Sequence, residues 1–254
     1  TITNIFKGFV TKYKPTFAMG TNMVRDIMTS VRKGEVLISS MEGKNFWDKI
    51  TEIGVTPLRY IKNIPKARMI GRYMVKGKRG YVAKIFGVSE AELKNFADKM
   101  ETLGVVSKES GIMSFYEDTK ANDIYNILDP YKKSGIIDTL KDTKINKWYS
   151  DIAQANELMS KALGFMTLEE AGYSEQKAAY LTRTHQGTPN YKEGGEYKKV
   201  VGSWIPFYNV LVQAMRSDYN LAVGKSTSTS YWLGTTAYIG VPALLSGLAA
   251  GGAF

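Results

Sequence analysis

The chain has 254 residues, is 44% hydrophobic and carries a formal net charge of +10, so it can bury a core as one large domain or two. It has no cysteine, which excludes a disulfide framework and thiolate metal ligands. Its single histidine, His185, leaves no second histidine for a zinc site. No phosphate-loop motif is present. We therefore expect no metal ion, no cofactor and no enzymatic activity in this segment, and we interpret His185 as a loop residue beside Gly187.

The first predicted helix covers residues 16–33. Apolar side chains recur there at steps of three and four residues, which is typical of an amphipathic helix, and Gly34 is a plausible end. Arg25 and Asp26 are adjacent, so they point to different faces of the helix and contact different partners.

Residues 53–89 form the most basic part of the chain. They contain no acidic residue, and Tyr60, Tyr73, Tyr81 and Phe86 are interspersed among the cations. The cations are Arg59, Lys62, Lys66, Arg68, Arg72, Lys76, Lys78, Arg79 and Lys84. This composition predicts contact with nucleic acid, where cations neutralise phosphate and rings stack on bases, or with anionic lipid headgroups. A solvated helix face whose acidic partners lie elsewhere in a longer parent chain explains it equally well.

A helical corner is predicted over residues 81–104. Gly87 breaks the pattern, and Ser89 with Glu92 forms a capping box for the following helix. A short helix, a turn and a second helix in this order resemble a helix-turn-helix. The second helix is acidic, however, and would repel phosphate, so we interpret it as a corner and not as a DNA reader.

Loops and short helices are expected over residues 105–147, followed by a regular amphipathic helix over 148–163. Thr167 with Glu170 offers another capping box, and Ser174 a cap for a helix over 175–184. Patterns of alternating strand residues are scarce. We predict an all-α fold, an irregular multi-helix assembly with long loops and an apolar C-terminal helix or helical hairpin.

Residues 183–222 join a Gly/Pro-rich basic turn to an aromatic segment that leads into a helix. The turn carries Arg183, Gly187 and Pro189, and the segment runs Trp204-Ile205-Pro206-Phe207-Tyr208-Asn209. Pro206 suits the first turn of a helix, where its missing N–H costs nothing. We expect Trp204 and Phe207 to be buried anchors.

This order of residues resembles a family described as large polyvalent protein associated domain 38, which occurs in large phage proteins. A second match lies near the start, where Lys14 replaces the usual asparagine. It comprises Pro15, Phe17, Asn22, Arg25 and Asp26. Together the two elements cover about 60 residues closely. The resemblance implies a piece of a giant tailed-phage protein that is packaged in the virion and delivered with the genome, and the absence of an initial Met agrees with a piece of a longer chain.

The last part of the chain, residues 226–254, contains no charged residue. Residues 231–254 are long enough, at about 1.5 Å per residue, to cross a hydrocarbon layer of about 30 Å. Trp232 lies where an interfacial aromatic residue would be, and Gly247 and Gly251 suit close helix contact. Pro242 and the many glycines weaken this interpretation, and a helical hairpin buried in a protein assembly explains the same composition.

These patterns divide the chain into a basic helical region (1–104), a helical domain with the Gly/Pro loop (105–225) and the uncharged tail (226–254). Two functions remain open. One is a structural internal virion or ejection protein that aids genome delivery across the host envelope. The other is a nucleic-acid-binding accessory module of a multi-enzyme phage protein. Expected partners are other virion proteins or sibling subunits in an oligomer, phage DNA and the host membrane. The expected location is the virion interior and then the host envelope.

Overall fold

The computed structural model describes residues 22–106, 144–186, 208–242, 244 and 246. Every regular element within these ranges is helical, so the predicted all-α class is confirmed. The helices are α1 (Asn22–Ser39), α2 (Phe46–Lys76), α3 (Tyr81–Ile85), α4 (Glu90–Thr102), α5 (Lys144–Glu170), α6 (Glu175–His185), α7 (Tyr208–Val223) and α8 (Ser228–Thr235), followed by a π-helix (Thr236–Gly240). The division into three regions stays a prediction.

The core lies between α2 and α5, the two longest helices. Their backbones approach closely at Gly71, where a Cβ atom would lie 2.4 Å from the backbone oxygen of Ala155. Side chains of α2 such as Tyr60 and Ile70 are buried together with Leu163 and Phe165 of α5. Only glycine permits this backbone contact, so the close packing of α2 on α5 depends on Gly71.

Helix α1 corrects the prediction that Gly34 ends the first helix. The helix continues through Gly34 to Ser39, and Gly34 packs against the buried ring of Tyr60 on α2. A Cβ atom at position 34 would lie 2.0 Å from the Tyr60 hydroxyl. Gly34 is therefore a packing residue at a helix crossing. A glycine is needed at position 34 because the Tyr60 ring leaves no room for a side chain. It does not terminate the helix.

Two predicted helix starts are borne out and one is not. Ser89 caps α4 by accepting a hydrogen bond from the Glu92 N–H at 3.0 Å, and Ser174 caps α6 through the Lys177 N–H at 3.4 Å. Thr167 starts no helix, because α5 runs on to Glu170 and buries Thr167 completely.

The C-terminal segment returns to α1 and α2. Helix α8 packs on α1 through Gly234, where a Cβ atom would lie 2.2 Å from Glu35 Oε2. The π-helix that follows is fixed to α2 by the Tyr238 hydroxyl, which donates to the Ile53 carbonyl at 2.5 Å. Within the described residues, no helix combines the length and apolar character needed to cross a membrane. The predicted apolar C-terminal helix is not confirmed.

Several residues of the family-like pattern lie outside the described ranges, namely Pro15, Phe17, Gly187, Pro189, Trp204, Pro206 and Phe207, and so do Gly247 and Gly251 of the tail. Asn22 and Arg25 belong to the first turns of α1, and Asn209 to the first turn of α7. The predicted burial of Trp204 and Phe207 stays a prediction.

Candidate anionic-ligand surface on helix α2

Helix α2 carries most of the predicted basic residues, and capping interactions define both of its ends. The Asn45 side chain accepts from the Asp48 N–H, and the Asp48 carboxylate accepts from the Asn45 N–H, which satisfies two donors at the helix start. Gly77 ends the helix in the left-handed conformation, with φ 65°. The capped ends place one continuous helix of 31 residues across the molecule.

Four of the nine predicted cations meet carboxylates of this chain. Arg59 lies 2.7 Å from Glu52, Lys66 lies 2.8 Å from Glu92 and Lys62 lies 3.7 Å from Glu170. Lys76 is paired with Asp151. Helices α2, α4 and α5 therefore supply acidic partners that are far from these cations in sequence, with Glu52 as the exception. Each of these four cations therefore has an acidic partner within the fold.

Glu52 is the most strongly bound of these carboxylates. It is nearly buried, and Lys44, Thr56 and Arg59 all contact it. Burial alone would raise its pKa, but the hydrogen bonds from Lys44 and Thr56 and the two positive charges lower the pKa below its usual value. Glu52 is therefore an ionised anchor for the first half of α2.

The remaining cations lie in the C-terminal half of α2, in the turn that follows it and in α3. Arg68 and Arg72 are exposed, lie one turn apart on the same face, and have no carboxylate partner among the residues described. Lys78 and Lys84 are exposed in the same way. Arg79 differs, because its guanidinium donates to the Ala83 carbonyl at 3.2 Å and its Nε is buried. In the part of the chain that the structure describes, fewer cations therefore lack an acidic partner than the nine that the sequence predicts as a binding surface.

An exposed apolar row runs along the first half of α2, on the helix face that leads to Arg68 and Arg72. Its side chains are Trp47, Ile50, Leu58 and Ile61, with Gly54 and Pro65 in the same register. Trp47 is 72% exposed, Leu58 64% and Ile61 61%. Apolar residues at steps of three and four usually form the buried face of a helix. In α2, however, the buried face lies on the opposite side, and this row is exposed. Sequence reasoning missed this row, although its spacing is visible.

Aromatic side chains are also exposed at α3. Tyr81 and Phe86 are both exposed, and Lys84 lies between them in sequence. Phe86 follows the last residue of the helix and Gly87 then adopts φ 67°. Rings and cations therefore share one short segment, a combination suited to nucleic-acid bases and phosphates.

His185 corrects its sequence interpretation as a loop residue. It is the last residue of α6, and its Nδ1 lies 2.9 Å from the Ser217 hydroxyl of α7, which also accepts a hydrogen bond from Lys33 Nζ at 2.9 Å. Burial and the nearby Lys33 charge lower the pKa of His185 to about 4, although Asp218 opposes the shift. Ser217 is itself buried, so the trio joins α1, α6 and α7 as a packing contact.

The other predicted site residues are dispersed. Arg183 is exposed near the end of α6. Burial raises the pKa of Glu157 to about 7, Lys161 opposes the rise and Asp26 adds to it. Trp232 is exposed on α8. One edge of its ring contacts the neighbouring Tyr231, with ring centroids 5.4 Å apart. Across the described part of the chain, acidic residues and His185 form no group able to hold a metal ion.

Comparison with models of protein families, with curated proteins and with solved structures identified no match to this chain.

Proposed function

We propose that this chain is a structural segment of an internal virion or ejection protein of a tailed phage, and that it binds an anionic surface during genome delivery across the host envelope. The phage context comes from the resemblance of the two sequence elements around residues 15–26 and 183–209. The expectation of an anionic partner comes from the exposed cations on α2.

The observation that carries the proposal is the contrast between two sets of cations on one helix. Lys62, Lys66 and Lys76 have carboxylate partners in α4 and α5. Arg68 and Arg72 are exposed without such partners in the described structure. Arginine binds phosphate through a planar fork of donors, so these two residues are available to lipid or nucleic-acid phosphates.

Flotation of the purified chain with vesicles tests this proposal. We expect binding to vesicles of phosphatidylglycerol and phosphatidylcholine, weaker binding to phosphatidylcholine alone, and loss of binding in the Arg68→Glu/Arg72→Glu variant. A version that ends at Lys225 separates the contribution of the uncharged tail. Equal binding of the wild type and the double variant would contradict the proposal.

A nucleic-acid-binding accessory module is the second candidate. Exposed Tyr81 and Phe86 beside Lys84 favour it, because aromatic rings stack on bases whatever their sequence. Titration of single-stranded DNA at increasing salt tests it, since phosphate contacts weaken steeply as salt rises. Binding to DNA that Tyr81→Ala and Phe86→Ala reduce, with no binding to anionic vesicles, would favour this candidate over the first.

A further inference from the structure

We propose that the apolar row of α2 docks on a membrane surface that contains anionic lipid, with Trp47, Leu58 and Ile61 in the boundary between headgroups and acyl chains and Arg68 and Arg72 on lipid phosphates. This inference rests on the proposed function, because it names the anionic surface as lipid and assigns the residues that enter it.

The row is more than a set of isolated exposed residues. Single apolar residues at a protein surface are ordinary. Here Trp47, Gly54, Leu58, Ile61 and Pro65 follow one another at helical spacing on the solvent side of one helix. Positions 47 and 61 are about 21 Å apart along the axis, at about 1.5 Å per residue. The opposite side is already committed to the core through Tyr60 and Ile70. Helix α2 therefore has an exposed apolar row on one side and its core contact on the other.

The charges favour lipid as the occupant. Asp48 and Glu52 are the acidic residues of α2. Asp48 is held in the capping box and Glu52 is nearly buried, so the exposed row itself carries no negative charge. Arg68 and Arg72 continue it toward the C-terminal end. An interfacial helix of a membrane-binding protein combines these features: an apolar face, an aromatic residue at its edge and cations for the headgroups.

Other occupants fit less well. A second copy of this chain that packs its row in parallel against this one would bring the like charges of Arg68 and Arg72 toward each other. Nucleic acid offers phosphates to the arginines but no apolar surface to Leu58 and Ile61. A phospholipid provides both, since its phosphate and its acyl chains lie a few ångströms apart.

The C-terminal segment contacts α2 within the range of the apolar row. The hydrogen bond from Tyr238 to the Ile53 carbonyl places the π-helix beside the first half of α2. The residues that follow include Val241 and Leu244, both exposed, and residues 226–254 contain no charge. Exposed apolar residues of the described C-terminal segment therefore follow directly on a contact with α2.

The absence of cysteine permits a direct test. A polarity-sensitive fluorophore attached to Ile61→Cys reports on the row, and the same fluorophore on Asn95→Cys, exposed on α4, is the matched control. With vesicles of equal parts phosphatidylglycerol and phosphatidylcholine, we expect a blue shift at position 61, quenching by lipids labelled in the acyl chain, and neither effect at position 95.

A second variant gives an affinity readout. Leu58→Gln/Ile61→Gln replaces two exposed side chains, so its melting temperature should stay close to that of the wild type. Burial of one such side chain is worth about tenfold in affinity, and we expect vesicle binding to weaken by at least that much and to become reversible by salt.

The outcomes separate this inference from the proposed function. A label at position 61 that stays in water on bound vesicles, while Arg68→Glu/Arg72→Glu abolishes binding, overturns the inference and leaves the function intact. A blue shift without vesicles that grows with protein concentration assigns the row to a second copy and also overturns it. Failure of the wild type to bind anionic vesicles overturns both.

Discussion

The hydroxyl of Tyr238 donates a hydrogen bond to the carbonyl oxygen of Ile53, at 2.5 Å. Ile53 precedes Pro57 by four residues in α2. Proline has no N–H, so the helix cannot satisfy this carbonyl by its own hydrogen bonding. The C-terminal segment therefore attaches to α2 at the point where a proline interrupts the helical hydrogen-bond ladder.

A double-mutant cycle tests this relationship. Tyr238→Phe removes the donor and should lower the free energy of unfolding by about 1 kcal/mol. In the Pro57→Ala background, the new N–H can pair with the Ile53 carbonyl, so the same change at Tyr238 should cost much less. Urea denaturation of the four proteins measures the coupling. An equal cost of Tyr238→Phe in both backgrounds would show that the proline does not create the site.

Gly34 and Gly54 should respond in opposite ways to the same substitution. Alanine is normally better than glycine inside a helix by about 0.5–1 kcal/mol. At position 54 nothing lies within 4 Å of the added Cβ atom, so Gly54→Ala should stabilise the protein. At position 34 the Cβ would lie 2.0 Å from the Tyr60 hydroxyl, and overpacking should cost about 1–3 kcal/mol.

Thermal melting of the two alanine variants measures this contrast. A Gly34→Ala protein that melts at or above the wild-type temperature would be incompatible with the packing of α1 on Tyr60. Gly54→Ala serves as the control for the general effect of alanine on helix propensity.

Stability should fall as the pH rises through neutrality because of Glu35. This carboxyl is buried between α1 and α8, with Ser39 donating to Oε1 at 3.4 Å. Burial raises the pKa of Glu35 from 4.5 to about 7, and Glu52 adds to the rise while the Ser39 hydrogen bond opposes it. Because the pKa is higher in the folded state, its contribution is fully present below about pH 4.5 and is lost as the pH rises through about 7.

The Glu35→Gln variant isolates this effect. Relative to the wild type, its free energy of unfolding should improve between pH 5 and pH 8, by an amount on the order of 3 kcal/mol. Glu42→Gln, an exposed carboxylate in the turn after α1, is the matched control. A difference between Glu35→Gln and wild type that does not change with pH would show that Glu35 is not buried as described.

Local signals in the sequence predicted much of the helical order. Ser89 and Ser174 mark the starts of α4 and α6 because a short polar side chain before a helix can accept from its first N–H groups. The errors came where tertiary contact decides. Gly34 looked like a helix end, but the Tyr60 ring occupies the space that a side chain would need. Thr167 looked like a cap, but it is buried inside α5.

The candidate surface was only partly predictable for the same reason. The sequence locates nine cations in residues 59–84, but it does not tell which of them meet a carboxylate. Glu92, Asp151 and Glu170 are 26 to 108 residues away from Lys66, Lys76 and Lys62, so only the packing of α2 against α4 and α5 reveals the pairing. The apolar row was visible as a spacing pattern, but it had the spacing of a core face, and only the structure identifies it as exposed.

The most direct test of binding through Arg68 and Arg72 compares two double variants of α2 that lower the net charge equally. Arg68→Gln/Arg72→Gln removes the exposed, uncompensated cations, and Lys62→Gln/Lys66→Gln removes cations that Glu170 and Glu92 already accompany. Both are floated with anionic vesicles, after their melting temperatures have been checked. We expect loss of binding for the arginine pair and little change for the lysine pair. Equal losses would mean that overall charge determines binding, and would contradict a specific role of the surface at Arg68 and Arg72.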